Sequence, residues 1–139
     1  MTEVQGIVQT GLYVITNVAT TGYATLADGN ISSGLTQTTD DGNDDIKWTI
    51  TKLSSGKYTA VGLVYANYAS ASQSPSSGDT VKSSAVSYQW IIKQSNTAGQ
   101  YLISPIDNDS LYWSFTSQSA TYVKLSDTPS YWTFTRYTS

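Results

Sequence analysis

Hydrophobic and polar positions alternate along short segments of this chain, and turn-forming residues separate the segments. In residues 13–18, YVITNV, Tyr13 and Ile15 share one face. In the stretch KWTITKL, Trp48 and Ile50 share one face, and threonines occupy the other. A period of two residues is typical of a β-strand with one buried face. Because no stretch of ten residues combines a helical period with a cap, the pattern predicts an all-β chain.

Two landmarks recur along the chain at a nearly constant interval. Trp48, Trp90 and Trp132 follow one another at intervals of 42 residues. A Gly-x-Tyr triplet recurs at intervals of 45 and 43 residues, and its tyrosines are Tyr13, Tyr58 and Tyr101. Clusters of Asp, Asn, Ser and Gly mark turns between the apolar stretches. A period of this length indicates supersecondary units that repeat around or along an axis.

Each repeat has room for four short strands and their turns. The sequence therefore predicts a β-trefoil, with twelve strands in three pseudo-symmetric four-strand repeats, a six-stranded barrel and three hairpins that close one end. We expect a single domain over residues 1–139, with repeats at about 11–53, 54–95 and 96–137. The three repeated tryptophans are expected in the shared core, because they supply large buried surfaces.

Trp113 differs from the three repeated tryptophans. It lies in SLYWSF, between the landmarks of the third repeat, and the other repeats have no tryptophan there. Aromatic side chains serve both as core residues and as anchors of binding surfaces. Two alternatives therefore remain for Trp113, a core position and an exposed binding position.

Composition and charge exclude several classes of partner. Charged residues are 12% of the chain, the formal net charge is −3, and the seven Lys and Arg residues are scattered. No basic stripe is present, so we expect no nucleic-acid partner. No apolar run has the length of a membrane-spanning helix. The N-terminal segment MTEVQGIVQTG shows no signal peptide and the chain has no cysteine, so we expect a cytoplasmic protein.

The residue types leave little room for catalysis. The chain has no histidine and no cysteine, which excludes a His-based triad, a cysteine nucleophile and the commonest metal ligands. The one carboxylate cluster is DDGNDD, residues 40–45, and it crowds a glycine-containing turn. Its order does not match a calcium-binding loop, and we interpret it as a solvated turn. We therefore expect no enzyme activity, no cofactor and no metal.

Several segments give the chain a resemblance to mushroom β-trefoil proteins. They are a Tyr-led first strand, YATLADG, a polar turn followed by IKWTITKLSSGKYTA, and the aromatic ending YWTFTR. The chain resembles the cospin-type serine protease inhibitors and, more distantly, the mycocypins. Small ricin-B-like mushroom lectins of the same length share this frame. The resemblance covers the whole chain, and it implies a fungal cytoplasmic protein that acts in defence against animals that eat the fungus.

The resemblance to inhibitors implies a protease-binding loop. In cospin-like proteins the loop between the second and third strands is reactive, and an asparagine in it fills the primary pocket of the protease. The matching position here is Asn30, preceded by Gly29 and followed by Ile31 beyond the bond. The alternative is that Asp28-Gly29-Asn30 only forms a turn. A second candidate is Asn67, because mycocypins inhibit asparaginyl endopeptidase with an asparagine in the equivalent loop.

The resemblance to ricin-B-like lectins implies a glycan-binding surface. The galactose pocket of that type uses a Gln-x-Trp triplet, whereas the triplets here read Ile-Lys-Trp, Tyr-Gln-Trp and Ser-Tyr-Trp. Some small mushroom lectins instead bind glycans through an aromatic-lined surface on one repeat. Exposed aromatic residues suited to that role are Tyr65, Tyr68, Tyr88 and Trp113. The alternative for the tyrosines is ordinary packing on a β-sheet surface.

Three functions therefore follow from the sequence. We rank protease inhibition first, with a serine, asparaginyl or cysteine protease as partner. Binding of a glycan as a lectin is the alternative. A structural or storage role without a specific site is third.

Overall fold

The computed structural model describes residues 2–137, and nearly all of its regular structure is β-strand. A single 3-10 turn, Asp44–Ile46, is the only helical element in that part of the chain. The strands are β1 Thr2–Glu3, β2 Gly11–Asn17, β3 Tyr23–Thr25, β4 Thr36–Thr38, β5 Lys47–Lys52, β6 Tyr58–Gly62, β7 Tyr68–Ser70, β8 Lys82–Ser84, β9 Trp90–Gln94, β10 Tyr101–Pro105, β11 Tyr112–Ser114, β12 Lys124–Ser126 and β13 Trp132–Arg136. The predicted all-β class is confirmed, and the short strand β1 adds to the twelve predicted strands.

Six strands form a closed antiparallel barrel. β2 pairs with β5, β5 with β6, β6 with β9, β9 with β10, β10 with β13, and β13 returns to β2. Closure leaves none of these six strands at an open edge, which protects apolar strands from pairing with other chains. The strands alternate as predicted, since Trp48 and Ile50 are buried whereas Thr49 is exposed.

The remaining strands form three hairpins, β3–β4, β7–β8 and β11–β12, one in each unit. Unit one is β2–β5, unit two is β6–β9 and unit three is β10–β13. Three buried residues link the hairpins in a cyclic set of backbone hydrogen bonds. Leu35 N–H donates to Val81 O at 2.8 Å, Val81 N–H to Val123 O at 2.9 Å, and Val123 N–H to Leu35 O at 2.9 Å. This ring marks a threefold axis, and the predicted β-trefoil is confirmed.

The three repeated tryptophans occupy equivalent core positions. Trp48, Trp90 and Trp132 are each no more than 1% exposed. Each indole N–H donates a hydrogen bond of 2.9 Å to a backbone carbonyl of its own unit. The acceptors are equivalent residues of the three hairpins, Ala24, Ala69 and Trp113. The expectation that these tryptophans anchor the core is therefore confirmed.

The segment at residues 6–9 lies against three tyrosine side chains of the barrel. Val8 is 1% exposed and belongs to the core. The hydroxyl groups of Tyr13, Tyr58 and Tyr101 donate to backbone carbonyls of this segment, at Gln9, Val8 and Gly6 respectively. β1 extends the attachment by pairing with β13. The tyrosines that lead the three units therefore act together in holding one segment of chain.

Candidate functional site

The largest difference in loop length among the three units precedes Trp48 in unit one. The third strand of unit one ends ten residues before Trp48, whereas the third strands of units two and three end six residues before Trp90 and Trp132. Unit one thus carries four additional residues between its third strand and its tryptophan. The additional length falls in the acidic segment, residues 40–45. Loop differences on a repeated frame are a common origin of binding sites.

The acidic loop is ordered by its own hydrogen bonds. Asp40 Oδ1 accepts from the Gly42 N–H at 2.9 Å, and Asp40 Oδ2 accepts from Asn43 Nδ2 at 3.0 Å. The loop then enters the 3-10 turn, whose last residue, Ile46, is 2% exposed. The Asp45 carbonyl accepts from Thr25 Oγ1 at 2.9 Å, which ties the loop to β3. A loop fixed in this way loses little conformational entropy when a ligand binds.

The acidic loop forms one wall of a cleft on the outer surface of unit one. Side chains from β2, from β3, from the acidic loop and from the C-terminal end of the described chain line the cleft. They include Thr16, Tyr23, Asp41, Asp44, Lys47 and Tyr137. The cleft has a volume of about 580 Å³, which is within the range of small-molecule sites, about 300–1,000 Å³. The structure therefore combines tyrosine rings, carboxylates and hydroxyl groups in one concave surface, which we call the unit-one cleft.

Lys47 lines the unit-one cleft and contacts two other lining residues. Its ammonium group lies 2.7 Å from Asp44 Oδ1 and 3.6 Å from the centroid of the Tyr137 ring. The hydrogen bond to the Asp44 carboxylate is the largest cause that raises the pKa of Lys47. Lys47 is therefore held as a cation between a carboxylate and an aromatic face.

This cleft was not predicted from the sequence. Residues 40–43 are exposed, in agreement with the predicted solvated turn. The prediction did not include a concave surface lined by Asp41 and Asp44. A signal was present in the spacing. Leu35, Val81 and Val123 are equivalent, and they precede the unit tryptophans by 13, 9 and 9 residues. The difference of four residues identifies unit one as the unit that departs from the repeat.

The four residues predicted for protease binding lie together. Gly29, Asn30 and Ile31 belong to the loop between β3 and β4, and Ile31 is 53% exposed. Asn67 of unit two donates from Nδ2 to the Gly29 carbonyl at 3.2 Å. A Cβ atom placed on Gly29 would lie 3.1 Å from the ring of Tyr65. These five residues form a continuous surface across units one and two, which we call the loop surface.

The backbone geometry at Asn30 bears on its predicted role. Its carbonyl oxygen accepts hydrogen bonds from Ser83 Oγ at 2.6 Å and from the Ser33 N–H at 3.3 Å. Ser83 is 2% exposed, so this carbonyl points toward the protein. A substrate-like inhibitor must offer the carbonyl of its reactive bond to the oxyanion donors of the protease. In this conformation the Asn30–Ile31 bond is turned inward.

The aromatic residues predicted for glycan binding do not form one exposed surface. Trp113 is 1% exposed and lies within 6 Å of both Trp90 and Trp132, measured between ring centroids. Of the two alternatives for Trp113, the exposed one is wrong, because its side chain fills the core between two tryptophans. The sequence carried a signal here too, since Trp113 occupies the position of Ala24 in Tyr-Ala-Thr and of Ala69 in Tyr-Ala-Ser.

The three tyrosines predicted for glycan binding differ from one another. Tyr88 is half-buried, its ring packs against Trp90 with centroids 4.9 Å apart, and its hydroxyl donates to Asp107 Oδ2 at 3.0 Å. Burial is the main cause that raises the pKa of Tyr88 to about 12. Tyr68 is half-buried in β7, whereas Tyr65 is 40% exposed on the loop surface. Of these three tyrosines, Tyr65 is thus the most exposed.

Residues 2–137 show neither a metal-binding cluster nor a membrane-spanning helix. In that range no group of three or more His, Cys, Asp or Glu side chains is arranged to hold a metal ion. The same residues include no helix with the length and apolar character needed to cross a membrane.

Comparisons with known proteins reveal the fold but no sequence relative. No protein-family model matches this chain, and no curated protein matches its sequence. Among solved structures, the designed threefold symmetric protein ThreeFoil is similar, with a TM-score of 0.80, 18% identity, and 91% of this chain and 99% of that chain covered. The Macrolepiota procera ricin B-like lectin, in complex with lactose, gives a TM-score of 0.77 at 14% identity, with 95% and 99% covered.

A third similar structure is the Rhizoctonia solani agglutinin, with a TM-score of 0.76, 16% identity, and 94% of this chain and 97% of that chain covered. At these identities the likenesses demonstrate the β-trefoil fold alone. These three similar structures are a designed threefold protein, a ricin B-like lectin and an agglutinin, and no matching sequence or family model supports the cospin or mycocypin type specifically.

Proposed function

We propose that this protein is a glycan-binding protein whose site is the unit-one cleft. The observation that carries the proposal is the longer loop of unit one. Its four additional residues before Trp48 fall in the acidic segment that forms one wall of the cleft. Solved structures of the same fold include lectins, one of them in complex with lactose. This reverses the order derived from the sequence, in which protease inhibition came first.

The chemistry of the cleft suits a sugar. The carboxylates of Asp41 and Asp44 accept hydrogen bonds from hydroxyl groups, and such charge-assisted bonds are roughly twice as strong as neutral ones. The rings of Tyr23 and Tyr137 line the cleft, and aromatic faces pack well against the C–H groups of a sugar ring. One face of the Tyr137 ring is covered by the Lys47 ammonium group. Thr16 of β2, which also lines the cleft, adds a hydroxyl group. A few convergent polar groups beside aromatic faces are the usual composition of a small-ligand site.

Deletion of residues 40–43 tests the proposal. The deletion gives unit one the same loop length as units two and three, so we expect the fold to remain intact. Binding on a glycan array and in titration calorimetry should be lost, while the circular dichroism spectrum and cooperative thermal unfolding are retained. Glycan binding that survives this deletion would place the site elsewhere and refute the proposal.

A matched pair of point variants gives a second test of the site. Tyr137→Leu keeps apolar bulk in the cleft but removes the aromatic face, and it should weaken glycan binding by about tenfold or more. Tyr131→Leu makes the same change at an exposed tyrosine that does not line the cleft, and it should leave the affinity unchanged. Equal effects of the two substitutions would contradict a site in the cleft.

Protease inhibition is the second candidate function, and the convergence of the predicted residues on the loop surface favours it. Gly29, Asn30 and Ile31 are fixed by Asn67 and by Ser83, so the loop is rigid before any partner binds. Because the Asn30 carbonyl faces Ser83, reaction as a substrate-like inhibitor requires this turn to open. The test is a panel of serine, asparaginyl and papain-like proteases assayed with the native protein and with Asn30→Ala and Asn67→Ala. Full protease activity across that panel would remove this candidate.

A further inference from the structure

The unit-one cleft carries an excess of negative charge. Four of the ten acidic residues of the chain lie within residues 40–45. Asp41 and Asp44 line the cleft itself, and among residues 2–137 Lys47 is the only basic residue that lines it. Charges that line a concave surface act on a ligand more strongly than charges on an open surface, since part of the solvent is displaced.

The positive charge of Lys47 is already engaged. Its ammonium group is paired with Asp44 at 2.7 Å and covers the ring of Tyr137 at 3.6 Å. The side chain of Lys47 is only 14% exposed, which limits its contact with a ligand. Within residues 2–137, no basic side chain pairs with Asp41, and no hydrogen bond occupies its carboxylate. The charge available to a ligand in the cleft is therefore that of Asp41.

Lys47 also shows which chemical group this cleft can hold. An ammonium group lies between a carboxylate, Asp44, and a tyrosine ring, Tyr137. The same two kinds of group are present a second time in the lining, as the carboxylate of Asp41 and the ring of Tyr23. Ammonium groups bind favourably both to carboxylates and to aromatic faces.

We propose that the preferred ligand of the unit-one cleft is a glycan with free amino groups, such as an oligosaccharide of β-linked glucosamine. This inference rests on the proposed glycan-binding function and adds the chemical class of the sugar. The protonated amine donates to Asp41 and lies against the Tyr23 ring, while the sugar hydroxyls bind the remaining polar groups. Sialylated glycans are disfavoured, because their carboxylates meet the unpaired carboxylate of Asp41 with the same sign of charge.

The test compares three ligands of similar size by titration calorimetry, at about pH 6, where an aliphatic amine is protonated. They are a glucosamine oligosaccharide, the same oligosaccharide with every amine acetylated, and a sialylated oligosaccharide. We expect the free amine to bind about tenfold tighter than the acetylated form. The difference should shrink as salt is raised, because a partly exposed charge pair is screened.

Two nearly isosteric Asp→Asn substitutions, each removing one negative charge, separate a local effect from an effect of net charge. Asp41→Asn should weaken binding of the glucosamine oligosaccharide by about tenfold and change binding of the acetylated form by less than about twofold. Asp109→Asn removes the same charge from an exposed residue of unit three that does not line the cleft. It should leave both affinities unchanged.

The outcomes distinguish this inference from the function on which it rests. If the acetylated or the sialylated glycan binds as tightly as the free amine, the amino-sugar inference is overturned and glycan binding stands. Equal losses in the two Asp→Asn variants also overturn it, since net charge then accounts for the preference. If no glycan of an array or of this set binds, the proposed function and the inference fail together.

Discussion

Trp113 occupies a core position at which the other two units have alanine, so one large side chain lies at the centre of the threefold frame. Ala24 and Ala69 are its equivalents, and all three residues accept a hydrogen bond from the tryptophan of their own unit. Trp113 contacts the rings of Trp90 and Trp132 in edge-to-face geometry, with interplanar angles of 85°. Two alanines and one tryptophan thus fill the centre of the core without threefold symmetry. Strict symmetry would place three indoles, or none, in the same space.

Trp48→Phe should destabilise the fold more than Trp113→Phe, because the two indole N–H groups differ in their hydrogen bonds. Trp48 donates its indole N–H to Ala24 O, whereas the buried indole N–H of Trp113 has no acceptor among residues 2–137. Both Trp→Phe substitutions remove the same volume, but only Trp48→Phe leaves a buried carbonyl without its donor. We expect Trp48→Phe to lower the free energy of unfolding by about 1–2 kcal/mol more than Trp113→Phe. Urea denaturation measures both values, and a larger cost for Trp113→Phe would contradict the assignment.

Tyr88 predicts a loss of stability at alkaline pH. Burial, followed by the hydrogen bond to Asp107, raises its pKa in the folded protein from 10.0 to about 12. A raised folded pKa means that the neutral tyrosine stabilises the fold fully below about pH 10, and this contribution disappears as the pH rises toward about 12. The free energy of unfolding, measured by denaturant titration across this range, should therefore fall less steeply for Tyr88→Phe than for the native protein.

Asp107→Asn is the control for the alkaline prediction. It keeps the ring of Tyr88 packed on Trp90 but removes the negative charge that contributes to the raised pKa. Its pH profile should lie between those of the native protein and Tyr88→Phe. A native profile that is flat from pH 10 to 12 would contradict the described burial of Tyr88.

At the scale of the elements, residues 6–9 are attached to the barrel by one tyrosine from each unit. Three buried tyrosine hydroxyls, one from each unit, donate to its carbonyls, and Val8 reaches the core. We expect Tyr58→Phe to lower the free energy of unfolding by about 1–2 kcal/mol in the full chain, because the Val8 carbonyl loses its donor. In a chain that begins at residue 10 the same substitution should cost nothing or stabilise the fold.

A double-mutant cycle in guanidinium chloride measures this coupling. Tyr65→Phe is the matched control, because Tyr65 is exposed and its hydroxyl makes no hydrogen bond within residues 2–137. It should change stability by less than about 0.5 kcal/mol in either chain. Equal costs of Tyr58→Phe in the full and the shortened chain would show that the segment does not depend on this tyrosine.

Elements with a strong local pattern were predictable from the sequence, and elements defined by partners distant along the chain were not. Alternation located the strands that contain Tyr13 and Trp48, because burial on one face imposes a period of two residues. The contact between Asn67 and Gly29 joins two units and leaves no local pattern. The unit-one cleft depends on β2, the acidic loop and Tyr137 together. The signal for it in the sequence was the longer interval between Leu35 and Trp48.

At the scale of the whole molecule, one frame is repeated three times, and unit one has a longer loop before its tryptophan than units two and three. The barrel strands, the tryptophan anchors and the ring of hydrogen bonds around Leu35 are common to the three units. The acidic insertion belongs to unit one alone. Since the common parts hold the core and the insertion lies on the surface, the frame tolerates a change in one unit without loss of the others.

Together with the proposed function, this asymmetry predicts one glycan site in each chain rather than three. Units two and three have loops of equal, shorter length before their tryptophans, so neither can build the wall that Asp41 and Asp44 supply in unit one. Titration calorimetry of the monomer should give a stoichiometry of one, and the monomer should not agglutinate glycan-coated beads. Two copies joined by a flexible linker supply two sites and should cross-link the same beads. A stoichiometry of three, or agglutination by a chain shown to be monomeric by sedimentation, would show that the shorter loops also form sites.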